Sequence, residues 1–91
     1  MTENDATNYM AEAKVLKRKA STLESYFWEG YMQGVRRAWH GESFGEEKHA
    51  ALMGTPEEKI FDDARLQIVR GYKAGLSGRT PSEAAKEVQH D

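Results

Sequence analysis

Residues 27–35 read Phe27-Trp28-Glu29-Gly30-Tyr31-Met32-Gln33-Gly34-Val35, and the pattern returns later as Ile68-Val69-Arg70-Gly71-Tyr72-Lys73-Ala74-Gly75-Leu76. Each copy runs apolar, apolar, charged, Gly, Tyr, two variable residues, Gly, apolar. A glycine inside a helix costs about 1 kcal/mol relative to alanine. Two in each of two helices is a local liability that something must offset. Glycines four apart share one helix face. A face without side chains lets another backbone come close. In membranes this spacing marks helix dimers. Here Glu29, Gln33, Arg36 and Arg37 interrupt the first copy, and Arg70 and Lys73 the second. The contact expected is therefore one between helices in water. Gly30, Tyr31 and Gly34 lie on one helix, and Gly71, Tyr72 and Gly75 on the other. Gly75 has a plainer alternative, as the stop of its helix. The two helices are expected to pack antiparallel, within the chain or across a dimer.

Outward from the first copy, Thr22 to His40 carries an apolar arc of about half the helix at roughly 100° per residue. Leu23, Phe27, Trp28, Tyr31, Met32, Gly34, Val35, Ala38 and Trp39 share that side. A helix docked on one neighbour needs a stripe of about 100° or somewhat more. The wider arc points to contacts on two sides, one of them with another chain. The interface residues expected are Trp28, Met32, Val35 and Trp39, of the types that anchor interfaces. The plainer reading is that this same chain covers the whole arc.

Upstream, Tyr9, Ala13, Leu16, Ala20, Leu23 and Phe27 continue a seam at heptad spacing. The seam runs through one helix from about residue 6 to 40, or through two if Ser21 and Glu24 form a cap. Residues 1–5 are polar and expected to fray. Lys14, Lys17, Arg18 and Lys19 lie mostly off the seam. They form a solvated face or, in the alternative, a surface for nucleic-acid phosphates.

Downstream, Gly41 reads as a helix stop. Ser43 and Glu46 look like a cap for a short helix to Met53, which Gly54 ends. Thr55-Pro56-Glu57-Glu58 is a strong start signal for a helix running to about Leu76, with Phe61, Ala64, Ile68, Gly71, Tyr72 and Gly75 on its stripe. Thr80-Pro81-Ser82-Glu83 opens a last short helix to about Gln89, and residues 77–91 are expected to pack lightly. No alternating apolar run marks a strand. The fold expected is all-α: residues 1–91 form a single helical domain, a small bundle of two long helices plus short ones.

The chain has 91 residues, no cysteine and a formal net charge of −2. Disulfides and thiolate metal sites are excluded, and a reducing, cytoplasmic setting is expected. The N-terminus lacks the pattern of a signal peptide, and no apolar run nears the roughly 20 residues of a membrane span. His40, Glu42, Glu46 and His49 are close in sequence, but the His-Glu-x-x-His spacing is absent, so no metal or other cofactor is expected. With no catalytic elbow or triad, no catalytic residue is expected. The function expected is non-enzymatic protein–protein association, as a homodimer or with another protein, with nucleic-acid binding as the alternative.

Overall fold

The computed structural model describes residues 1–88. Among these residues five α-helices follow one another: α1 (Glu3–Lys19), α2 (Thr22–His40), α3 (Glu46–Met53), α4 (Asp63–Leu76) and α5 (Pro81–Ala85). No strand occurs among the described residues, and the architecture is an all-α helical bundle around two long, directly packed helices.

The seam from Tyr9 to Phe27 belongs to two helices. Ser21 accepts a hydrogen bond from the Glu24 amide at 3.2 Å and starts α2 afresh. The chain turns at Ala20, in extended conformation, and α1 folds back along α2. Residues 1–5 do not fray as expected: the helix begins at Glu3. Thr2 and Asp5 cap each other's amides at 3.1 and 3.2 Å, which supplies partners for donors the first turn would otherwise leave open.

The glycine-bearing helices α2 and α4 pack directly on each other, and they run parallel, not antiparallel. Gly30 lies against Ile68 and Gly34 against Tyr72 and Leu76, so the contact advances in the same direction along both helices. Residues 41–62 carry the chain back to the start of the second helix. Gly41, at φ +95°, ends α2 in a conformation that favours glycine.

Two apolar clusters flank the α2–α4 pair. On one side Ala6 and Ala13 of α1, and Ala84 with Val88, pack with Phe27, Trp28, Tyr31, Met32, Val35 and Ala74. On the other, Leu52 and Ile60 pack with Val69 and Tyr72. In the described part of the C-terminal segment, residues 77–88, Pro81, Ala84 and Val88 are buried and Thr80 and Glu83 form a reciprocal cap. Helix α5 ends at Ala85, and the expected end at Gln89 lies outside the described residues.

One helix cap and one helix start differ from expectation. Helix α3 begins after Gly45, in the left-handed region at φ +64°, with no side-chain cap from Ser43. Thr55-Pro56-Glu57-Glu58 yields only a 3₁₀ turn, Glu57–Lys59. Ile60 is then extended and buried against Val69 and Tyr72, and Asp62 caps α4 by accepting from the Arg65 amide at 3.2 Å. A continuous helix would carry Ile60 out of that cluster. Phe61, expected on the stripe, is 90% exposed.

Candidate functional site

All six residues singled out for helix packing meet at the α2–α4 contact. A Cβ built on Gly30 would lie 2.8 Å from the Ile68 carbonyl carbon, and one on Gly71 2.8 Å from the Tyr31 nitrogen. One on Gly34 would lie 2.7 Å from the Leu76 nitrogen, and one on Gly75 2.9 Å from the Val35 nitrogen. All of these neighbours are backbone, which cannot rotate aside. At each position the nearest atom is a carbonyl oxygen: of Ile68 at Gly30, Tyr72 at Gly34, Phe27 at Gly71 and Tyr31 at Gly75. Each glycine therefore aims a Cα hydrogen at a main-chain acceptor, a weak contact of about 0.5–1 kcal/mol. Gly75 is a contact residue inside α4, not the helix stop; Ser77 follows as the cap.

The contact has approximate twofold symmetry about an axis along the helix pair. Gly30 meets Ile68, three residues before Gly71, and Gly71 meets Phe27, three residues before Gly30. The tyrosines obey the same relation. The Tyr31 hydroxyl donates to the Arg79 carbonyl at 2.6 Å, in the segment after α4. The Tyr72 hydroxyl pairs with His49 Nδ1 at 2.7 Å, in the segment after α2. Burial pushes both phenols above their ordinary value of 10.

The charged position of each copy is also matched, with inverted sign. Glu29 pairs with Lys17 of α1 at 2.6 Å, and Arg70 pairs with Glu57 at 3.0 Å. Lys73 adds a second bond to Glu57 at 2.6 Å. The Lys17 hydrogen bond holds the Glu29 carboxyl below its ordinary range. Lys73, then Arg70, do the same for Glu57. A carboxyl whose pKa is depressed on folding adds stability above its unfolded value and loses it as pH falls through the folded one. The contribution of Glu57 is thus complete above about pH 4.5 and disappears in acid. The urea midpoint of the wild type should exceed that of Glu57→Gln at pH 7, and the two should converge as pH falls through the depressed folded-state value of Glu57. Parallel curves across that range would exclude the ion pair as a contributor.

The four expected interface residues separate. Trp28 is 3% exposed, Met32 6% and Val35 0%. They belong to the cluster with α1 and α5, so the wide arc is covered largely by this chain itself. Small side chains at Ala6 and Ala13 let α1 lie close on α2. Trp39 alone is open, at 41%. It borders a groove of about 440 Å³ between α1 and α2, with Ala6, Met10, Ala11 and Val35 as apolar lining and Glu3, Thr7, Lys14 and Arg36 as polar lining. Sequence reasoning missed Ala6, Met10 and Ala11, since nothing in α1 alone says which residues remain beside Trp39.

Of the basic candidates, Lys17 is engaged by Glu29, while Lys14, Arg18 and Lys19 are exposed. A cleft of about 390 Å³ holds Arg70, Lys73 and Arg79, but Glu57 pairs with the first two and Glu87 with the third. Another, of about 210 Å³, is lined by Gln33, Arg36, Arg37, Phe44, Gly45, Lys48 and Tyr72. Gln33 Oε1 and Gln67 Oε1 are buried without a hydrogen-bond partner among the described residues, which costs about 1–3 kcal/mol for each such group. Among the described residues no group of three or more His, Asp or Glu side chains is placed to hold a metal, and no helix is long and apolar enough to cross a membrane. Compared with known proteins, the chain matches no protein family, no curated protein and no solved structure.

Proposed function

We propose that this is a non-enzymatic helical protein that acts by protein–protein association through the Trp39 groove, with a second copy of the chain as partner. The observation that carries the reading is a large aromatic left open beside an apolar trough while its neighbours Trp28, Met32 and Val35 are buried. Tryptophan is enriched among residues that dominate binding energy, in pockets rimmed by polar groups. The rim carries both signs, Glu3 on one hand and Lys14 and Arg36 on the other. In a twofold dimer residue i meets j while j meets i, so a rim of mixed sign can be complementary to itself. The absence of cysteine suits a reducing, cytoplasmic setting.

Sedimentation equilibrium of the wild type should show a monomer–dimer equilibrium. Trp39→Ala should weaken it at least tenfold, the effect of about 1.4 kcal/mol or more, with the circular-dichroism melt of the dilute monomer little changed. A wild type that stays monomeric at high micromolar concentration removes the self-association reading. A different protein would then be sought by pull-down, comparing wild type with Trp39→Ala. The nucleic-acid reading rests on Lys14, Arg18 and Lys19, which have no acidic partner among the described residues. Its signature is affinity that falls steeply with salt, and no binding to duplex or single strands at low salt would end it.

A further inference from the structure

The cleft between the end of α2 and the start of α3 differs in charge from the Trp39 groove and from the cleft at the end of α4. The chain as a whole carries a net charge of −2. The cleft is lined by three cations, Arg36, Arg37 and Lys48, and by no carboxylate. Phe44 and Tyr72 supply aromatic walls, with Gln33 beside them. The walls are fixed in place. Arg37 donates to the Phe44 carbonyl at 2.7 Å, Phe44 stacks on His40 with ring centroids 4.5 Å apart, and Tyr72 pairs with His49. Bringing three like charges around one small space is unfavourable in isolation, and an anion between them relieves the repulsion. In the cleft at the end of α4, the acids of the chain already supply that anion.

From this contrast we infer that the Arg36–Arg37–Lys48 cleft binds a small organic anion, a phosphate or carboxylate carried on a flat apolar body. The anionic group sits among the three cations and the apolar body lies against Phe44 and Tyr72. Size sets the class. At about 210 Å³ the cleft is below the roughly 300–1,000 Å³ of sites for drug-sized ligands, so a one-ring ligand suits it and a dinucleotide does not.

The test is an NMR titration of the full ¹⁵N-labelled chain with phenyl phosphate, alongside phenol and inorganic phosphate. Phenyl phosphate should saturate with a Kd of about 1 mM or tighter, shifting the amides of Gly45 and Lys48 and the side-chain amide of Gln33. Phenol and inorganic phosphate should each bind at least tenfold more weakly. Lys48→Gln should weaken phenyl phosphate severalfold; it is chosen because Arg36 also lines the Trp39 groove and Arg37 holds Phe44. Inorganic phosphate binding as tightly as phenyl phosphate would overturn the assignment. So would shifts centred on the lysines of α1, or no saturable shift at about 10 mM ligand.

Discussion

Gly71→Ala should abolish cooperative unfolding or lower the melting midpoint by about 12–40 °C, although alanine is the better helix former. The added carbon would lie 2.8 Å from both the Phe27 carbonyl carbon and the Tyr31 nitrogen, and closer to the Phe27 oxygen. These atoms lie in the middle of α2, so relief requires moving one helix off the other. Separation opens gaps beside Tyr31, Val35, Val69 and Ala74, all at most 3% exposed. Overpacking against a flexible side chain costs about 1–3 kcal/mol. Against main chain on a pseudo-symmetric contact, about 3–5 kcal/mol is expected, a large share of the roughly 5–15 kcal/mol that holds a domain together. At about 4–8 °C per kcal/mol for a domain this size, the midpoint falls by the amount stated. Helix propensity pushes the other way by about 1 kcal/mol, so the sign of the result is decisive. A midpoint equal to or above wild type would mean that the helices do not touch there.

Trp28→Ala should cost about 3–5 kcal/mol of folding stability, the range for removing a large buried aromatic. Trp28 meets Phe27 edge-on with ring centroids 5.1 Å apart, and Tyr31 at 5.5 Å. The indole fills the space between α2, α1 and α5. Thermal denaturation of the variant at low protein concentration measures the loss. Iodide quenching gives a second readout: Trp39 in a Trp28→Phe background should be quenched readily, and Trp28 in a Trp39→Phe background should be shielded. A Trp28→Ala variant that melts like wild type would return this residue to the outer surface, where the breadth of the apolar arc had suggested it.

How far the fold is legible in the sequence differs from one feature to the next. The notches could be read because a glycine pair in a helix is unfavourable unless a backbone lies against it, and Gly30, Gly34, Gly71 and Gly75 all meet one. The Ser21 cap and the Gly41 stop are local events, and both lie where the residues indicate. Direction was not legible, because a notch flanked by one tyrosine looks alike to a parallel or an antiparallel partner. It is set by residues 41–62, which are long enough to bring the chain back. The start of α4 was misread because a local cap competed with a distant demand. Thr55-Pro56-Glu57-Glu58 favours a helix, but the second cluster needs Ile60 in extended chain, and Asp62 offers another cap. At the candidate site Trp39 was legible as an aromatic at the edge of the arc. The burial of Trp28, Met32 and Val35 was not, since it depends on how closely the alanines of α1 let that helix approach.

The two segments share only the two glycines and the tyrosine between them; Phe27, Trp28 and Glu29 stand where Ile68, Val69 and Arg70 stand in the other. That difference is permitted because main chain meets main chain. Such a seam reads the lack of a side chain and is indifferent to what its neighbours become, even to reversal of a charge so long as the opposite member of its pair reverses too. A lineage built on it can rewrite most of its letters and keep its shape. Its kin would be recognised by the interval of 41 residues from Gly30 to Gly71 and from Gly34 to Gly75 before any percentage of matching residues revealed them.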